Sequence, residues 1–168
     1  DLHASLAPSE MCIRDSVNIA FANELSIISD KLGIDVWELI ELANHHPRVN
    51  ILNPGPGVGG HCIAVDPWFI VSSAQEEAKL IRTAREVNDG KPAYVIAKIT
   101  EAVEAEGADS IAALGIAFKP DIDDLRESPA LSIVQQMAEK WPEKNILVAE
   151  PNVNELPESL TAVSYTHL

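Results

Sequence analysis

Cysteine is scarce: Cys12 and Cys62 are the only two in 168 residues. Two cysteines make no disulfide framework, so a reducing cytoplasm is the expected compartment. Cations are scarce as well, 12 lysines and arginines against 26 aspartates and glutamates, for a net charge of −14. That balance argues against nucleic acid and against an anionic membrane as partners. An anionic small ligand fits only where the few cations gather locally. No run approaches the roughly 18 apolar residues of a membrane span, and the first residues lack the basic start and apolar stretch of a signal peptide. Neither C-x-x-C nor H-x-x-x-H spacing occurs, and the adjacent His61 and Cys62 tend to point apart. A four-ligand zinc site drawn from His45, His46, His61, Cys62 and Asp66 is therefore disfavoured, and no metal is expected. The 46% hydrophobic content suffices for one good core or two small ones.

Glycine and proline are concentrated in one place. Asn53-Pro54-Gly55-Pro56-Gly57-Val58-Gly59-Gly60 is followed by His61-Cys62-Ile63-Ala64-Val65-Asp66-Pro67-Trp68-Phe69-Ile70. Glycine permits positive φ and close backbone approach, and interleaved proline removes conformational freedom. A stiff, irregular loop over 53–70 that fixes Cys62 is the expectation. Gly55, Gly57 and Gly60 also satisfy G-x-G-x-x-G, with Arg48 to Leu52 passing for a strand. The dinucleotide fingerprint requires a helix to open at the last glycine. Cys62 to Ile70 is an apolar run broken by Pro67 without helical period, so that reading is set aside. Cys62 is either a nucleophile exposed on a tight turn or a small buried hydrophobe. Asp66 has an alternative reading as a turn residue before Pro67.

Asp1 to Ser16 has no hydrophobic period. Val17, Phe21, Leu25, Ile28 and Leu32 then form one stripe of an amphipathic helix that stops at Gly33. Asp35, with Glu38 three residues on, is a capping pattern for a second helix that ends before Pro47. The two helices suit a dimerisation and core region, or equally a plain support for the loop. Ser73 and Glu76 give another capping pattern, for a helix through Leu80, Ile81, Ala84 and Val87 that carries Arg82 and Arg85, both read as ordinary solvated charge. Gly90-Lys91-Pro92 should interrupt it, with Pro92 in the first turn of a further helix.

The grammar changes after Gly107. Ser110 to Phe118 is a continuous apolar run, expected as a strand buried on both faces of a parallel sheet. Ser128-Pro129 caps a helix through Leu131, Val134 and Met137, and Asn145 to Ala149 is a second strand. This is a βαβ unit, whose ligands bind beyond the strand's C-terminal end. The loop there, Phe118-Lys119-Pro120-Asp121-Ile122-Asp123-Asp124-Leu125-Arg126-Glu127-Ser128-Pro129, sets Lys119 and Arg126 beside an anion site, or else is an ion-paired acidic loop. The fold class is α/β: a helical middle region, then the start of a Rossmann-like parallel domain.

The run from Val49 to Leu52 through Gly59-Gly60-His61-Cys62-Ile63-Ala64-Val65-Asp66-Pro67-Trp68-Phe69-Ile70, with the Phe118-Lys119-Pro120 loop, resembles the UDP-glucose/GDP-mannose dehydrogenase family. The resemblance implies an NAD-dependent enzyme that oxidises the C6 alcohol of a UDP-sugar twice. Cys62 would be the nucleophile and Asp66 would position the hydrolytic water. Lys119 would contact the nucleotide sugar, Gly59 and Gly60 would let the backbone approach it, and Arg126 would lie towards the phosphates of NAD. Arg48 is a phosphate or sugar contact by family position, reaching a neighbouring subunit, or a solvated surface arginine. UDP-N-acetyl-D-mannosamine is the expected sugar, favoured by Ala64 and Trp68-Phe69, with UDP-N-acetylglucosamine or UDP-glucose as alternatives. A homodimer or higher homo-oligomer through the central helices is expected; the alternative from another class is a non-catalytic sugar-nucleotide-binding or oligomerisation module.

Counting back from Val17, a family lysine and asparagine would fall near Pro8 and Cys12, and Met11-Cys12-Ile13-Arg14-Asp15-Ser16 resembles translated adaptor sequence. The expected organisation is a non-native tail over 1–16, a helical central domain over 17–107, part of a C-terminal nucleotide-sugar-binding domain over 108–163, and a second non-native tail over 164–168. The chain would then be an internal fragment without its NAD-binding domain, and alone would form no NADH from UDP-N-acetylmannosamine and NAD.

Overall fold

The structure is a computed structural model that describes residues 2–153, 155, 157, 160 and 164–166. The chain divides into two compact units, Asp1–Lys91 and Pro92–Leu168.

The first unit holds α1 (Leu2–Leu32), α2 (Val36–Ala43), α3 (Cys62–Ser73) and the beginning of α4 (Lys79–Glu106). Helix α1 starts at Leu2, far ahead of the periodic stripe; Ala, Leu, Glu and Met favour helix without any period. The face α1 buries is small and polar: Ser16, Ala20, Asn23 and Ser29. The apolar stripe lies elsewhere, with Phe21 51% and Leu32 64% exposed. Helix α2 begins as its cap predicts. The Asp35 carboxylate accepts from Trp37 N at 2.8 Å and from Glu38 N at 3.3 Å.

Three expectations here are corrected. Cys62 to Ser73 is a helix, although Pro67 lies inside it. Proline removes one internal hydrogen bond, and a partner from elsewhere in the fold can satisfy the carbonyl left over. Ser73 does not cap the next helix: its hydroxyl donates to Phe69 O at 2.8 Å and closes α3. Helix α4 also runs unbroken through Gly90-Lys91-Pro92. Its turns on either side of Pro92 are anchored, by buried Asn88 and Lys91 before it and by core contacts of Val95, Ile96, Ile99 and Val103 after it.

The second unit continues α4 and adds β1 (Ser110–Leu114), α5 (Pro129–Lys140), β2 (Asn145–Ala149) and β3 (Ser164–Thr166). The strands form a parallel sheet in the order β1-β2-β3. Ser110 pairs with Asn145, Leu114 with Ala149, and Leu147 with Ser164. Ser128 caps α5 with Pro129 in its first turn, as expected. The core gathers Ile133, Val134 and Met137 of α5, Ile146 and Val148 of β2, and Val103, Ile116, Trp141 and Leu160. Strand β1 is shorter than its apolar run and is not buried on both faces: exposure alternates along it, and Leu114 is 82% exposed. Gly115, at φ +91°, turns the chain out of the strand while its N–H still donates to Ala149 O at 2.8 Å. That turn swings Ile116 into the core.

Candidate active site

In the first unit, three asparagine side chains hold the chain that leads to Cys62. Asn18 donates to Asn50 O at 3.0 Å and accepts from Leu52 N at 3.3 Å. Asn44 donates to Ile51 O at 2.9 Å and accepts from Ile51 N at 2.7 Å. Buried Asn23 accepts from Gly55 N at 2.9 Å and donates to Asn88 Oδ1 at 2.9 Å. These amides supply the pairing that a neighbouring strand would give, so residues 50–55 are held in place outside any sheet. The dinucleotide reading fails on this point: a helix does follow the glycines, but no strand precedes them.

Gly60, buried and at φ +80°, makes the last turn before α3, a backbone conformation that suits glycine. Cys62 follows as the first residue of α3 and is exposed, which answers the choice between exposed thiol and buried hydrophobe. Asp66 stands four residues on and therefore on the same helical face. The Cys62 sulfur and an Asp66 carboxylate oxygen lie within 4.8 Å of each other and of the Cys12 sulfur from α1. Burial pushes the Cys12 thiol pKa up, and the Cys62 and Asp66 charges push the same way. This trio comprises soft and hard donors but no histidine; a closed tetrahedral zinc site would need a fourth ligand. Helix α3 opens at Cys62 without a side-chain cap, which leaves the N–H groups of its first turn beside the thiol. Arg48 is exposed, and its backbone N–H donates to His46 Nδ1 at 3.4 Å.

In the second unit, the loop after β1 is braced from beneath. Glu150, at the end of β2 and 3% exposed, accepts from Ile116 N at 2.9 Å, Ala117 N at 3.2 Å and Asn152 N at 3.1 Å. Burial pushes its carboxyl pKa up, but those N–H groups outweigh it and hold the value below the ordinary one. Ser128 Oγ donates to Ile116 O at 2.6 Å and closes the loop onto its own start. Two non-glycine residues in the loop have positive φ, Asp121 at 61° and Glu127 at 49°. Such strain gathers where a loop must present particular groups. Lys119 is exposed with its Nζ 5.6 Å from the Phe118 ring. Arg126 grips Asp124 through Nε at 3.0 Å and Nη2 at 2.6 Å. Those hydrogen bonds hold the Asp124 carboxyl at about 2. Both cations of the loop are exposed, and one of them, Arg126, is ion-paired within it.

Arg85, Asn23 and Glu150 were not legible as site residues. Arg85, read as solvated, is 2% exposed. Its signal was the proline inside an apolar run, which leaves a carbonyl in need of a donor. For Glu150 the signal was an acid at the end of the second strand of a βαβ unit, a position that commonly serves the nucleotide-binding edge.

A parallel βαβ unit with cations on the loop beyond its strand is the arrangement in which nucleotide-binding folds commonly receive their ligands. The chain belongs to the UDP-glucose/GDP-mannose dehydrogenase family: the family's central domain matches residues 10–90 and its UDP binding domain residues 112–167. It is similar to a UDP-N-acetyl-D-mannosamine dehydrogenase of Campylobacter jejuni, 63% identical over 152 residues, covering 90% of this chain and 37% of the relative. An NDP-N-acetyl-D-galactosaminuronic acid dehydrogenase of Ralstonia solanacearum is 59% identical over 155 residues, covering 92% of this chain and 36% of the relative. Among solved structures, the UDP-N-acetyl-mannosamine dehydrogenase of S. aureus superposes with a TM-score of 0.81 at 44% identity, over 91% of this chain and 36% of that one. The chain thus spans little more than a third of the relatives it matches. No helix among the described residues is long and apolar enough to cross a membrane.

Proposed function

We propose that this chain is the central and UDP-binding portion of an NAD-dependent nucleotide-sugar 6-dehydrogenase that converts UDP-N-acetyl-D-mannosamine to its uronic acid in the cytoplasm. The observation that carries the reading is Cys62, exposed at the start of α3 with Asp66 one turn behind it. After the first oxidation, Cys62 Sγ adds to the C6 aldehyde and the aldehyde oxygen takes a proton, giving a thiohemiacetal. The free N–H groups of the first turn of α3 stabilise the oxyanion that develops in this addition. NAD, when bound, would supply the hydride acceptor for both oxidations; in each the hydroxyl being oxidised also gives up its proton to solvent, and the second leaves a thioester on Cys62. Asp66 orients water for attack on that thioester, and cleavage of the C–S bond returns the thiol and releases the acid.

Gly59 and Gly60 let the loop backbone come close to the sugar, and Lys119 contacts the nucleotide sugar. Arg126 fits a contact to the cofactor phosphates: its side chain is 72% exposed on the loop where a βαβ unit receives anions. Arg48 serves the sugar or phosphate of a neighbouring subunit. The exposed Phe21 and Leu80 border an apolar cavity of about 230 Å³ with Val17 and Val87, which supports homo-oligomer contacts through these helices. The Ralstonia relative supports a second reading of the sugar, an N-acetylgalactosamine nucleotide.

The test is NADH formation by the full-length protein that carries this segment, with each UDP-sugar offered in turn. The expected result is that UDP-N-acetylmannosamine reduces NAD twice per molecule and that Cys62→Ala no longer releases uronic acid. Unchanged release of uronic acid by Cys62→Ala, or a Cys62 inert to alkylation, refutes the mechanism and favours a binding module.

A further inference from the structure

Pro67 is buried at the sixth position of α3. Having no N–H, it leaves the carbonyl four residues earlier, that of Ile63, without its helical partner. Ile63 directly follows Cys62. Arg85 of α4 reaches this carbonyl: its Nη1 donates to Ile63 O at 3.2 Å. The guanidinium is also fixed by Asp89, one turn along the same helix, which accepts a hydrogen bond from Nη2. Next to it on α4, Asn88 donates to Ser16 O at 3.0 Å and accepts from Asn23, which in turn holds Gly55 N. One stretch of α4 thus reaches both ends of the glycine loop, directly after the nucleophile through Arg85 and at Gly55 through the asparagine pair.

Burying an arginine is costly, and the Arg85 Nε has no hydrogen-bond partner among the described residues. Packing alone would be served better by an apolar side chain of similar volume. We propose that Arg85 is a positioning residue: its guanidinium supplies to Ile63 O the hydrogen bond that Pro67 withholds, and thereby fixes the first turn of α3 and the aim of Cys62. The consequence for turnover rests on the reading of Cys62 as the nucleophile; the consequence for the first turn of α3 does not.

The test is a cycle between Arg85 and Pro67. Amide hydrogen exchange is measured on this chain for the first turn of α3, which includes Val65 N, bonded to His61 O at 3.2 Å. Arg85→Leu is expected to speed that exchange by about tenfold, the effect of losing one hydrogen bond to a charged group. Pro67→Ala restores a backbone donor to Ile63 O, so Arg85→Leu made in that background should change exchange little. If Arg85→Leu does not fold, Arg85→Lys, which keeps the charge but loses the planar fork, takes its place in the cycle. Unchanged exchange in the single variant, or equal acceleration with and without Pro67→Ala, overturns the proposal. In the full-length enzyme, Arg85→Leu should lower kcat with KM nearly unchanged, and Pro67→Ala should recover kcat. A normal kcat alongside the exchange pattern overturns the aiming of Cys62. A Cys62→Ala enzyme that still releases the uronic acid overturns the dehydrogenase mechanism instead and leaves the exchange result standing.

Discussion

Replacing Glu150 should unseat the loop that carries Lys119 and Arg126. Its carboxylate accepts three backbone N–H groups, of Ile116, Ala117 and Asn152. Ile116 is wholly buried, so Glu150→Ala strands its N–H away from water, whereas the half-buried Ala117 can turn to solvent. An unmet buried donor costs about 1–3 kcal/mol, and weakened bonds at the other two add to it, giving about 3 kcal/mol in all. Glu150→Gln keeps one acceptor oxygen but turns an amide donor towards the remaining N–H, for about 1 kcal/mol. Urea unfolding followed by tryptophan fluorescence measures both. Trp141 lies in the core of the second unit, while Trp37 and Trp68 belong to the first and are changed to phenylalanine so that only the second unit reports. The folded carboxyl titrates below its ordinary value of 4.5. Its contribution is therefore fully present above that pH and is lost as pH falls through the folded value. The stability gap between wild type and Glu150→Gln should narrow on acidification below about pH 4.5. An alanine variant within about 1 kcal/mol of wild type, or a gap that widens in acid, refutes Glu150 as the brace.

Two further outcomes are expected. Met137→Ala empties a site in the middle of the second core and should cost about 3 kcal/mol on the same fluorescence assay, while Met137→Leu should cost less than about 1.5 kcal/mol. Arg126→Lys cannot reproduce the forked grip on Asp124, so that carboxyl should rise from about 2 towards the ordinary carboxylate range in an NMR titration. A carboxyl that stays near 2 would assign its depression to some other group.

Sequence reading succeeded where one local cue sufficed. Asp35 capped α2, Ser128-Pro129 opened α5, and strand β2 ran from Asn145 to Ala149 as its apolar run indicated. Cys62 and Asp66 were singled out by the unusual composition around them, but their closeness comes from a helix where a loop was expected. It failed where a tertiary partner replaced a local one. The proline in α3 and the glycine-lysine-proline run in α4 are both helix breakers by propensity, yet both helices continue. The stripe on α1 was visible, but periodicity cannot say that the small, polar face would be the one turned inward. There, Asn23 and Ser16 gain partners from α4 and the loop, which no count along α1 reveals.

These failures share a cause that makes the site intelligible. Residues 50–61 form neither strand nor helix, so their backbone groups need side-chain partners, and Asn18, Asn23 and Asn44 supply them. The helix that follows carries one more unmet carbonyl, at Ile63, and an arginine supplies that donor. Glu150 does the same for the N–H groups at the start of the other loop. In each case a buried polar side chain from a regular element substitutes for a backbone partner in an irregular segment, which lets a loop be both non-repetitive and rigid. A loop held that way keeps its reactive or charged groups in place before any ligand arrives, at less entropic cost on binding than a free loop would incur. Removing one brace should therefore disturb the group it serves as well as the stability of its unit, unlike the Met137 substitution, where stability falls and the loops keep their aim.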